Sequence, residues 1–153
     1  MLGLATKTGI QIQEAAPRAS DYNPASSAIG QGTNAYTSLN LARYVSTIAN
    51  RGTVYNSNLI GKITDSDGNI KEFTPDVANK ADSVSDATWT TVQNGMARVI
   101  SEGAISMLTN RLPVKVCGKS GTAQEDKKRG NHACYVMFSQ NDEGQAEVVT
   151  TVM

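Results

Sequence analysis

From Val114 onward the chain alternates. Val114, Val116 and Gly118 interleave with Lys115, Cys117 and Lys119, the period of a strand with two unlike faces. A charged stretch, 124–131, leads into Ala133-Cys134-Tyr135-Val136-Met137-Phe138. Asn141-Asp142-Glu143-Gly144 reads as a turn. Glu147-Val148-Val149-Thr150-Thr151-Val152 is β-branched at every position but the first, which suits a pleated, half-buried surface. The last third therefore predicts three short antiparallel strands in a row.

Upstream the period becomes helical. Leu39, Ala42, Val45, Ile48 and Ala49 fall on one helical face, with Thr37 or Ser38 as N-cap and Asn50-Arg51-Gly52 as the stop. Trp89, Val92, Met96 and Val99 or Ile100 form a second amphipathic stripe behind the capping pair Ser85-Asp86,. Trp89 reads as a core residue. Between the helices, Leu59–Ile63 and Ile70 with Phe73 flank Asp65-Ser66-Asp67-Gly68-Asn69, a hairpin with a favoured Asp-Gly turn,. Residues 1–30 carry Pro17, Pro24 and little periodicity, and read as extended or loop structure. Strands following helices place the fold in the α+β class, an antiparallel sheet packed with helices.

Composition removes several function classes. Fourteen basic and fourteen acidic residues cancel, so no nucleic-acid footprint is expected. The one dense charge run, Glu125 to Arg129, reads as a solvated loop. No stretch approaches the roughly 20 apolar residues of a membrane span, and the start shows no signal peptide; any anchor is expected outside this chain. Two cysteines are too few for a disulfide scaffold. If residue 123 pairs with residue 132, Cys117 lies opposite Phe138, four residues from Cys134, beyond disulfide reach. His132 is the sole histidine and no Cys/His/carboxylate cluster surrounds it. It reads as structural, and no metal site or cofactor is expected.

Lys-Thr/Ser-Gly is one signature of serine enzymes acting on D-alanyl peptides and β-lactams. The chain holds it twice, as Lys7-Thr8-Gly9 and as Lys119-Ser120-Gly121. The chemistry needs the triplet on a strand beside a cleft, followed by a backbone N–H that can face a developing oxyanion. Lys119-Ser120-Gly121-Thr122 lies in an alternating strand with another strand after it. Lys7-Thr8-Gly9 opens an irregular stretch and reads as a decoy.

The neighbouring segments are similar to one family. Gly30-Gln31-Gly32 followed by Thr37-Ser38-Leu39-Asn40-Leu41-Ala42 resembles the Gly-Gln-Gly…Thr-Pro-Leu-Gln-Leu-Ala segment of penicillin-binding transpeptidases. Gly3 to Ile10 resembles the phrase after that family's middle motif, Asn94-Gly95-Met96 its Gly-Met helix, Gly118 to Gln124 its third-motif strand, and His132-Ala133 the start of the next strand. The resemblance runs through nearly the whole chain in the family's order. Ser38 stands where proline is usual, and Cys134 where an aromatic residue is common.

The resemblance implies the β-lactamase/transpeptidase-like fold, with residues 1–153 as the C-terminal part of one penicillin-binding transpeptidase domain, incomplete at both ends. The family's nucleophile lies in Ser-x-x-Lys, and no serine here has lysine three residues on. Its middle motif is Ser-x-Asn. Ser38-Leu39-Asn40 and Ser139-Gln140-Asn141 match by letters but stand in the wrong places. The chain alone is therefore expected to be inactive toward penicillin. By the resemblance, Ser120 and Thr122 would hold a substrate carboxylate, the Thr122 N–H would face an oxyanion, Gly121 would admit the substrate backbone, and Lys119 would lie partly buried under the cleft. The implied partners are the peptidoglycan stem peptide and β-lactams, and the implied location is the outer face of a bacterial membrane. Same-chemistry alternatives are a β-lactamase or a β-lactam sensor; a non-catalytic peptide-binding domain is the third. The strand Val148–Val152 is expected to expose an edge and to drive homodimerisation.

Overall fold

The computed structural model describes residues 2–20, 24–124 and 130–153. The charge run Glu125 to Arg129 lies outside the described residues. In chain order the elements are α1 (Pro24–Ala28), α2 (Ser38–Ala49), β1 (Thr53–Tyr55), β2 (Lys62–Thr64), β3 (Ile70–Glu72), β4 (Val77–Lys80), α3 (Asp86–Glu102), α4 (Ser106–Thr109), β5 (Lys115–Ala123), β6 (His132–Gln140) and β7 (Ala146–Val152).

The three long strands form one antiparallel sheet in the order β5-β6-β7. Ala123 pairs with His132 and Cys117 with Phe138, the register expected from the loop length. Both cysteines are consequently free thiols. Burial pushes the Cys117 thiol up, against a smaller lowering by the Lys115 charge.

The helices start where the sequence places them. Thr37 caps α2 through a capping box: its hydroxyl accepts from the Asn40 N–H at 3.1 Å, and the Asn40 side chain accepts from the Thr37 N–H at 3.0 Å,. The helix ends through Arg51 (φ 62°) and Gly52 (φ 109°). A Cβ on Gly52 would stand 2.9 Å from the Trp89 ring, so the stop residue is also a packing requirement. Ser85 caps α3 by accepting from the Thr88 N–H. Both helices pack on the sheet, and Val45, Ile48, Ala49, Ala81, Trp89, Met96, Cys117 and Phe138 form the core. Complete burial of Phe138 alone is worth about 1.5–3 kcal/mol,.

Three expectations change. The α3 stripe does not include Val92, which is 40% exposed. Gln93 takes the inward place, and its amide donates to the Ile48 and Ala49 carbonyls at 2.8 and 3.0 Å. The Ala49 carbonyl has no backbone donor among the described residues and the Ile48 carbonyl accepts from the Arg51 N–H at 3.3 Å,, so a side-chain donor at the end of α2 suits the place better than an apolar group. The loop expected around Pro24 contains the one-turn helix α1. The pair β1–β4, absent from the sequence reading, consists of strands too short for a period to register. The hairpin β2–β3 forms as expected. Asp65 holds its turn by accepting from the N–H groups of Asp67 and Asn69 and from the Asn69 amide, each at 2.9 Å. The Asn69 bonds and those neighbouring N–H groups hold the Asp65 carboxyl below its ordinary range.

β7 lies at the edge of the described sheet. Val148 and Val152 are 59% and 55% exposed, while Val149 packs on the core. Among the described residues no helix is long and apolar enough to cross a membrane.

Candidate substrate strand

β5 has two unlike halves. Cys117 and Gly118 are buried, and every residue from Lys119 to Ala123 is exposed. Gly118 is tightly enclosed: a Cβ there would stand 2.8 Å from Ile100 Cδ1 and 2.9 Å from the Val136 carbonyl oxygen. Three residues on, Gly121 is open: a Cβ there would come no closer than 4.0 Å to Cys134. The packed half anchors the strand to α3, and the open half carries the Lys-Ser-Gly-Thr segment on the outer strand of the sheet.

The register sets which side chains share a face. Ser120 is opposite Tyr135 and Thr122 opposite Ala133, on one face; Lys119 is opposite Val136 and Gly121 opposite Cys134, on the other,. Burial pushes the Tyr135 phenol above its ordinary range. A shallow groove of about 530 Å³ runs beside the segment, bounded by Lys119 and Ser120 on β5 and by Gly95, Arg98, Val99 and Glu102 on α3. Across it Arg98 and Glu102 form a two-bond ion pair at 3.0 Å.

Lys119 departs from expectation. It is exposed, and its ammonium donates to the Ser120 carbonyl at 2.6 Å. An ammonium taken from water needs several acceptors. The described residues offer it one, so it stays at the surface. No described group of three or more His, Cys, Asp or Glu residues could hold a metal.

One contact was not foreseen. The Gln31 amide donates to the Thr122 carbonyl at 3.3 Å, which brings the Gly30-Gln31-Gly32 segment against the motif strand. Both flanking glycines have positive φ, 78° and 90°. The sequence held a partial signal, because a polar residue between two glycines marks a loop built for a particular backbone path.

The decoys have structural jobs. Asn40 of Ser38-Leu39-Asn40 is fully buried in the α2 cap, and Ser139 lies near the end of β6. Lys7-Thr8-Gly9 is held in a polar knot. The Thr8 N–H and hydroxyl donate to Glu14 Oε2 at 3.0 and 2.9 Å, and the Gly9 N–H donates to Glu14 Oε1 at 3.1 Å. Desolvation pushes the Glu14 carboxyl up, but these three bonds and the Arg43 charge outweigh it and hold the carboxyl below its ordinary range. Arg43, buried on α2, donates to the carbonyls of Gly3, Thr6 and Lys7.

Residues 1–152 match the family model of the penicillin-binding protein transpeptidase domain. The chain belongs to that family. Penicillin-binding protein 2A of Bacillus subtilis is 34% identical over 133 residues, covering 80% of this chain and 18% of the relative. Penicillin-binding protein 2B of Streptococcus pneumoniae strain D39 is 29% identical, covering 95% of this chain and 24% of the relative. This chain therefore spans about a fifth to a quarter of the curated relatives it matches. Among solved structures, penicillin-binding protein 2B of S. pneumoniae R6 superposes with a TM-score of 0.77 at 24% identity, over 98% of this chain and 26% of that one. Penicillin-binding protein A of M. tuberculosis, solved as an imipenem acyl-enzyme complex, gives 0.77 at 21% identity, over 98% and 36%. At those identities the two superpositions speak for the fold, and the fold is the α+β transpeptidase fold.

Proposed function

We propose that this chain supplies the substrate strand of a serine D,D-transpeptidase that cross-links peptidoglycan stem peptides and is a target of β-lactams. The observation that carries the reading is the open half of β5. An outer strand with an uncovered glycine at its centre lets a second extended backbone lie close along it. In this reading the Ser120 and Thr122 hydroxyls hold the terminal carboxylate of a D-Ala-D-Ala ligand, with the Lys119 ammonium adding positive charge beside them. The Thr122 N–H is one oxyanion donor. A serine attacks the penultimate D-Ala carbonyl, D-Ala leaves, and an amine of a neighbouring stem takes the acyl group from the ester. The serine belongs to Ser-x-x-Lys, which this sequence does not contain, so residues 1–153 act as the C-terminal part of the domain. The parent protein would then work on the outer face of a bacterial membrane. The transpeptidase family match favours this reading over a β-lactamase, a sensor or a non-catalytic peptide binder.

The test has two readouts on this chain. Intact-mass spectrometry after incubation with penicillin should show no adduct, and a stoichiometric gain on a serine would contradict the reading. Nuclear magnetic resonance titration with acetyl-D-Ala-D-Ala should shift the amides of Ser120, Gly121 and Thr122, weakly and saturably. Absence of any response there at millimolar ligand would remove the substrate role from the strand.

The same reading includes self-association through the β7 edge. The test substitution is Val148→Lys, because Val149 faces the core. Sedimentation at micromolar concentration should show a dimer that this change weakens; a monomer throughout would exclude it.

A further inference from the structure

We propose that the groove at the other end of β5 binds a short peptide carrying a free α-carboxylate. It encloses about 550 Å³, within the roughly 300–1,000 Å³ typical of ligand pockets. Its walls come from the end of α2, the first half of α3, the first residue of β5 and the turn between β6 and β7. Lys115 stands five residues before Ser120 on β5, roughly 17 Å along the strand at about 3.3 Å per residue,. The site is separate from the Lys119–Thr122 segment and does not depend on the function proposed for it.

The chemistry of the lining selects the ligand. Gln93 is 5% exposed and spends its amide N–H groups on the Ile48 and Ala49 carbonyls. Its Oε1 has no hydrogen-bond partner among the described residues and is not one of their fully buried unpaired atoms, so it is an acceptor that a ligand N–H can reach,. The exposed Asn94 amide likewise makes no hydrogen bond among the described residues and offers both a donor and an acceptor, the pair that matches a peptide unit,. Lys115 makes no ion pair or hydrogen bond among the described residues, whereas Arg51 is engaged by Asp86 at 3.3 Å and by Thr90 at 2.9 Å. Among the described residues Glu143 is the single acid in the lining. A carboxylate beside Lys115 therefore gains a charge-assisted bond. Among the described residues no aromatic ring lines the groove, so they give a sugar ring or a nucleobase nothing to stack on.

The probe is acetyl-Ala-Ala-Ala of L configuration, titrated into the ¹⁵N-labelled chain beside the same peptide with a C-terminal amide. The free-acid peptide should shift the amides of Asn94, Lys115 and Gln145 and the Gln93 side chain saturably. Lys115→Glu and the amidated peptide should each weaken binding by about tenfold or more, the loss of one charge-assisted bond. Lys115 and Gln145 are both exposed, so Lys115→Glu and a second variant, Gln145→Ala, probe the groove without touching the core. The proposal is overturned if no saturable shift appears up to about 10 mM. It is equally overturned if Lys115→Glu binds as well as wild type, or if the shifts fall on Ser120–Thr122 instead.

Discussion

Lys7-Thr8-Gly9 and Lys119-Ser120-Gly121 differ by one methyl group in sequence and by almost everything in surroundings. Thr8 is fully buried and Ser120 is exposed. The hydroxyl and N–H of Thr8 are both consumed by Glu14, while the Ser120 hydroxyl makes no hydrogen bond among the described residues. Gly9 has a φ of 76°, and a Cβ there would stand 2.9 Å from the Asn56 side chain; Gly121 sits in a strand where a Cβ would keep 4.0 Å from Cys134. One triplet has its hydrogen-bonding capacity spent inside the molecule, the other turns it outward. A three-residue pattern describes which groups exist, and the fold decides whether they are available.

The contrast breaks most readily at the buried cation. Arg43→Met removes the donor shared by the carbonyls of Gly3, Thr6 and Lys7, and should cost about 3 kcal/mol, since each buried acceptor left unpaired costs roughly 1–3 kcal/mol. Lys119→Met should change stability by less than about 0.5 kcal/mol. Urea unfolding of the two variants measures both, and similar losses would mean that the second triplet is structural as well.

The glycines give a smaller, sharper contrast. Gly9→Ala forces a side chain into left-handed backbone and should cost about 1–2 kcal/mol. Gly121→Ala should stay within about 0.5 kcal/mol of wild type in thermal unfolding, yet weaken the response to acetyl-D-Ala-D-Ala. A destabilised Gly121→Ala would show that the open half of β5 is packed in solution.

The smallest effect is the pH dependence. The folded-state pKa of Glu14 lies below the ordinary value of 4.5. Its contribution is therefore complete above the unfolded pKa and is lost as pH falls through the lowered folded value. Glu14→Gln should flatten the acid limb of the stability curve below about pH 4.5 and leave the neutral region changed only by the lost charge. An unchanged acid limb would mean that Glu14 does not clasp Thr8 and Gly9 in solution.

Much of this was legible because it is local. Helix caps at Thr37 and Ser85, the Asp-Gly hairpin turn, and the alternation from Val114 each depend on neighbours within a few residues. The β5–β6 register followed from the connection between them, because antiparallel partners count inward from the turn. The sequence by itself also determined the family, since its phrases stand in order along one chain. Tertiary structure alone decided the rest. Gln93 rather than Val92 faces inward because α3 passes the end of α2, where carbonyls need donors. Gln31 meets Thr122 across 91 positions of sequence, a separation at which no periodicity speaks. Lys119 lies at the surface because a buried ammonium depends on acceptors brought from elsewhere in the fold. Hydrogen-bonding groups are written in the sequence; which of them remain unspent is set by what packs against them.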